Sequence, residues 1–107
     1  MQDGLYKVAF QTPLGEGFGV VTLKGGELTG GDSMMYYIGT YDQNGETFNA
    51  SVRASQHSTV PGMSSVFGAT NVQINLTGTS TGDSAVMKGS SPQAPGISFS
   101  AVMTKLG

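Results

Sequence analysis

The chain has 107 residues, no cysteine, five basic and seven acidic side chains, a net charge of −2 and a charged fraction of 11%. That length suits one domain spanning 1–107 with its own core, and the absence of thiols excludes disulfides, thiolate metal sites and cysteine nucleophiles. Lys7, Lys24, Arg53, Lys88 and Lys105 are scattered, too few and too dispersed to neutralise a run of phosphates, so direct nucleic-acid binding is not expected.

Seventeen glycines read as turn punctuation between short stretches with a period of two. Tyr6, Val8 and Phe10 alternate with Lys7, Ala9 and Gln11 as a half-buried first strand. Pro13–Gly17 turns the chain, Phe18–Lys24 is a second strand, and Gly25-Gly26 supplies the positive φ angles of a two-residue hairpin. A brief strand at Glu27–Thr29 ends where Gly30, Gly31 and Asp32 break the ladder. Met34–Tyr41 is the fourth strand, apolar on both faces: Met34, Tyr36 and Ile38 on one, Met35, Tyr37 and Tyr41 on the other, with Gly39 as a bulge or bend. Asn44-Gly45 is the strongest hairpin signal. Phe48, Ala50, Val52 and Ala54 then point one way along the fifth strand. Residues 55–68 form a longer connection with Pro61-Gly62 and a helical turn near Met63–Val66. Val72, Ile74 and Leu76 mark the sixth strand, Gly78–Ser84 a polar turn, and Ala85–Gly89 the seventh strand. Pro92–Gly96 turns again before Ile97, Phe99, Ala101 and Met103 line one face of the eighth.

Eight strands joined mostly by hairpin-length links predict an all-β, antiparallel up-and-down barrel, since closure removes exposed edges. A two-sheet sandwich is the alternative. The interior of an eight-stranded barrel is filled by side chains or holds one small ligand. The residues expected to line it are Tyr6, Val8, Phe10, Tyr36, Ile38, Phe48, Val52, Ile74, Phe99 and Met103. The opposite face of the fourth strand, Met35, Tyr37 and Tyr41, is expected on the outside, at the interface of a homodimer; low charge offers little resistance to self-association.

Motifs for catalysis are weak. Gly15-Glu16-Gly17-Phe18-Gly19 lacks the gap of a dinucleotide-binding loop and reads as a hairpin turn. The single histidine, His57, sits in the irregular connection, and Gly82-Asp83-Ser84 is not a nucleophile elbow. The acidic residues stand singly, without the ligand density of a calcium loop, and no metal or cofactor is expected. Asn49-Ala50-Ser51 and Asn75-Leu76-Thr77 match the glycosylation pattern by chance. No apolar run nears the roughly 20 residues that span a bilayer. Asp3 and Lys7 interrupt an opening too short for a signal peptide. With no cysteine, the expected location is the cytoplasm. Gly30-Gly31-Asp32 is the most specific local motif: two glycines free in φ, then a carboxylate able to accept backbone N–H groups and fix the turn. Its readings are a specified barrel corner or a ligand-facing Asp32.

The opening Asp3-Gly4-Leu5-Tyr6, the Gly-Gly-Asp followed by Tyr37 and Gly39, and the strand order resemble the GrlR family of small bacterial regulators. Ser65-Val66-Phe67-Gly68, Pro95-Gly96 and Phe99-Ser100-Ala101 resemble uncharacterised relatives of that family. The resemblance implies a calycin- or lipocalin-like barrel that dimerises, accommodates an apolar or lipid-like molecule, and regulates by contact with a transcriptional regulator. It also implies an acidic Glu-Asp-Glu-Asp patch after the fourth strand. This chain has Asp42 and then Gln43-Asn44-Gly45-Glu46 there, so steering toward a basic activator is much weaker and the virulence-repressor role does not transfer. The expected function is a binding or regulatory module without enzymatic activity. The alternatives are a carrier of a small apolar ligand and, more remotely, an enzyme with a carboxylate pair or His57 in the cavity.

Overall fold

The computed structural model describes residues 1–62 and 71–107, so the helical turn expected near Met63–Val66 lies outside the described residues. Eight strands follow one another: β1 (Gly4–Thr12), β2 (Gly15–Lys24), β3 (Glu27–Gly31), β4 (Met35–Asn44), β5 (Thr47–Gln56), β6 (Asn71–Thr81), β7 (Ser84–Ser90) and β8 (Phe99–Lys105). Each pairs antiparallel with its sequence neighbours, and β1 pairs with β8 to close an up-and-down barrel. The two ends differ. Gly25-Gly26, Gly45-Glu46 and Gly82-Asp83 make two-residue links at one end, with Gly25, Gly26, Gly45 and Gly82 at φ +58°, +89°, +64° and +59°. The longer connections leave β5 and β7 at the other end.

Several strands run further than their local pattern suggests. Gly15 to Gly17 belong to β2, leaving only Pro13-Leu14 as the turn, and β6 continues through Gly78 to Thr81. β8 begins at Phe99, and Ile97 packs against the core from the preceding connection. Gly30 and Gly31 do not break β3. They sit in it, opposite Tyr37 and Tyr36, with no positive φ. What they supply is clearance: a Cβ on Gly30 would lie 2.1 Å from the Val20 carbonyl oxygen. Gly39 likewise forms no bulge. The β4–β5 register runs unbroken past it, and its Cβ would meet the Ser51 carbonyl oxygen at 2.2 Å. Ladder closure brings neighbouring backbones too close for any side chain there.

The inward-facing positions form one apolar core. Four inward aromatic rings each sit directly across a strand pair from a glycine: Phe10 from Gly17, Tyr37 from Gly30, Phe48 from Gly78, and Phe99 from Gly89. A large ring fills the space that the missing side chain leaves, and this alternation of large and small residues packs a narrow barrel. Phe10 and Tyr37 meet edge to face at 5.4 Å, and Tyr41 stacks on Phe48 at 5.5 Å, both favourable ring geometries.

The face of β4 requires a correction. Met35 and Tyr37, expected at a dimer interface, are each 2% exposed inside the barrel, and Tyr41 packs against the same core. Tyr36 and Ile38, expected inside, are 43% and 57% exposed. Because side chains alternate strictly, a one-residue error in phase reverses every assignment along a strand. Both faces of this strand are apolar, so hydropathy cannot choose between them.

Candidate functional site

Inside the barrel the cavity measures about 30 Å³, room for about one water molecule. Val8, Phe10, Val52, Ile74, Phe99 and Met103 border it, together with Tyr37, Val21, Leu28 and Met87. Tyr6 and Phe48 also point inward and are fully buried, but do not border it. Tyr36 and Ile38 lie on the outer wall. Among the described residues the buried polar or charged ones are Thr12, Ser55, Ser80 and Ser91, so no carboxylate or imidazole is buried there. No group of three or more His, Cys, Asp or Glu among them gathers to hold a metal ion.

At the end with the long connections, Asp32 organises the β3–β4 corner. Its Oδ1 accepts the backbone N–H groups of Met34 (2.8 Å) and Met35 (2.7 Å), and its Oδ2 accepts the Tyr37 hydroxyl. This is the turn-fixing role that the Gly-Gly-Asp motif suggests. Burial first, and then the Asp32 carboxylate, pushes the Tyr37 phenol well above its usual range. Ionising the phenol would both bury a charge and set a phenolate against a carboxylate. His57 is exposed on the rim. Its Nε2 lies 3.0 Å from the Asp32 carbonyl oxygen, to which it donates, and its Nδ1 lies 2.7 Å from Ser58 Oγ. Asp32 is thus committed to backbone and phenol, and the cluster fastens the corner.

The more distinctive feature lies outside. Ladder registers place Val86 opposite Val102, Val102 opposite Ala9, and Ala9 opposite Phe18, an unbroken apolar row across β7, β8, β1 and β2. Phe18 is 65% exposed, and Val86 and Val102 are 59% and 43% exposed. From Phe18 the band turns along β2 to Val20. Its row continues through Gly31 to Tyr36 on β4, with Ile38 two residues further on. Directly opposed side chains stand about 5 Å apart, so these residues form a continuous band around the barrel, densest where Val86, Val102, Ala9 and Phe18 adjoin. Exposed apolar patches of several hundred Å² mark interaction surfaces on soluble proteins.

None of Phe18, Val20, Val86 and Val102 emerges as a site residue from local pattern. One signal was present: Phe18 and Val20 lie on one side of β2 while Val21 and Leu23 lie on the other, so this strand too is apolar on both faces. That the outer residues of four strands align in a row depends on pairing between distant segments. No family model and no curated protein matches this chain.

Proposed function

We propose that this chain is a binding module of regulatory type that works by contact between proteins, with the outer apolar band joining two copies into its working form. The carrying observation is the unbroken row Val86–Val102–Ala9–Phe18 and its extension through Val20 to Tyr36. The row Val86–Val102–Ala9–Phe18 crosses four adjacent strands of the barrel, and its exposed side chains are what a docked copy would cover. Charge supports a second copy as the occupant. Along the outer face of β1 and β2, Glu16 stands on one side of the Ala9–Phe18 pair and Lys7 on the other. A two-fold axis along the row stacks Phe18 on Phe18 and brings each Glu16 toward the Lys7 of the other copy.

The self-association expected from the sequence therefore moves from Met35, Tyr37 and Tyr41 to this band. Regulation by holding a transcriptional regulator is what the resemblance to GrlR-type proteins implies. Steering toward a basic partner is weak, because Gln43, Asn44 and Gly45, at the end of β4 and in the turn after it, stand where the resemblance implies acids. The cavity's apolar lining matches the chemistry of an apolar small molecule, but a lipid chain would have to displace packed side chains. The test is sedimentation velocity across a wide concentration range. Wild-type protein should sediment as a dimer and Phe18→Asp as a folded monomer. Monomeric wild type, or a variant with unchanged mass, would refute the dimer.

A further inference from the structure

We infer that the outer wall centred on β5 and β6 carries a binding site for a neutral, polyhydroxylated chain such as a short linear oligosaccharide. A shallow, open trough of about 700 Å³ crosses β4, β5, β6 and β7 on the outer surface. One wall is a single cross-strand row, Asp42–Asn49–Thr77–Lys88. The other is formed around Ser51 and Asn75, which are paired across β5 and β6 two residues further along each strand. The rows stand about 7 Å apart and span about 15 Å from β4 to β7, long enough for about three pyranose rings.

The walls are set in advance. The Thr77 hydroxyl donates to Asn49 Oδ1 at 2.7 Å, which turns the Asn49 amide nitrogen toward Asp42 Oδ1 at 3.3 Å. A carboxylate and an amide donor held side by side match a pair of adjacent sugar hydroxyls, one donating and one accepting. On the other wall, Gln73 Nε2 donates to Ser51 Oγ at 2.7 Å and Ser51 Oγ donates to Asn75 Oδ1 at 3.3 Å, leaving the Asn75 amide hydrogens for another acceptor. The charges select against ions: Asp42 at one end opposes an anion and Lys88 at the other opposes a cation. A peptide strand gains little, because the strands beneath already pair on both sides.

Separate titrations of ¹⁵N-labelled full-length protein with cellotriose, maltotriose, xylotriose and chitotriose, each to about 20 mM, read dissociation constants into the millimolar range. At least one sugar should give saturable amide shifts confined to residues 40–51, 75–77 and 88–90. Asn49→Ala combined with Asn75→Ala should weaken that binding tenfold or more while the remaining resonances keep their positions. Thr77→Ala, which frees the Asn49 amide to rotate and removes one wall hydroxyl, should weaken it less. Absence of saturable shifts with all four sugars, shifts centred elsewhere, or binding that survives the double substitution would overturn the proposal. Phe18→Asp should leave the sugar response unchanged, so failure of the dimer and failure of this site are read separately.

Discussion

Replacing Gly78 by alanine should reverse the sign expected from general propensity. At an unstrained position, adding a methyl group to glycine stabilises a protein by about 0.4–1 kcal/mol, because the unfolded chain loses freedom. At Gly78 the new Cβ would lie 1.9 Å from the Val86 carbonyl oxygen and 2.7 Å from Met87 Cα. Both are backbone atoms, so no rotamer relieves the contact and β6 must move away from β7 by more than an ångström. A forced backbone shift costs about 1–3 kcal/mol, and a ladder hydrogen bond lost at the Gly78–Met87 pair adds about 1 kcal/mol. The net loss should be about 2–3 kcal/mol, a fall in Tm of about 10 °C or more for a domain this size. Gly45→Ala is the comparison. Nothing lies within 4 Å of its added methyl, and its φ is +64°, so it should lose only about 1 kcal/mol from left-handed backbone strain. Urea unfolding followed by circular dichroism measures both, provided the slope m stays constant. If Gly78→Ala equals or exceeds the wild type in midpoint, the close approach of β6 and β7 is wrong.

Other substitutions separate the two faces of β4. In the Phe18→Asp background, where no dimer contributes, Tyr36→Glu should change stability by less than about 0.5 kcal/mol, whereas Tyr37→Glu should abolish cooperative unfolding, since it buries a carboxylate against that of Asp32; thermal melts of the pair decide the face. Tyr37→Phe removes the donor to Asp32 Oδ2 and should cost about 1–2 kcal/mol at pH 7. Because the folded state raises the Tyr37 pKa above its reference of 10.0, this phenol's contribution is complete below that value. It is lost as the pH rises above 10, where the unfolded phenol ionises first. The wild-type advantage over Tyr37→Phe should therefore shrink by up to about 1.4 kcal/mol per pH unit, as read by urea unfolding at alkaline pH. Phe48→Ala empties a fully buried ring site and should cost about 3–5 kcal/mol in the same assay.

Much of the barrel was legible because its determinants are local. Asn44-Gly45 and Gly25-Gly26 specify tight hairpins by turn chemistry alone, and the alternation in Phe48–Ala54 and Val72–Leu76 points their apolar sides inward without ambiguity. Asp32 was legible for the same reason: its side chain binds groups two and three residues away. Illegible features were those set by pairing between distant segments. Gly30, Gly39 and Gly78 look like interruptions, yet each lies within a strand because a neighbouring backbone occupies the space a side chain would need. Tyr36 and Tyr37 are nearly equivalent in hydropathy, so only the register of β4 between β3 and β5 decides which is buried. The outer band and the polar trough are properties of rows across strands, and rows exist only once the register does.

The seam between β1 and β8 ties synthesis to folding. Residues Tyr6 to Gln11 find their second partner only in residues 100–105, so a ribosome must deliver nearly the whole described chain before the ring can shut. Until then the nascent sheet shows two bare edges, on β1 and on β7, each able to capture a strand from another molecule. Such long-range pairing makes closure the slow event, and any lesion that delays β8 should appear first as aggregation during expression, before any loss of equilibrium stability.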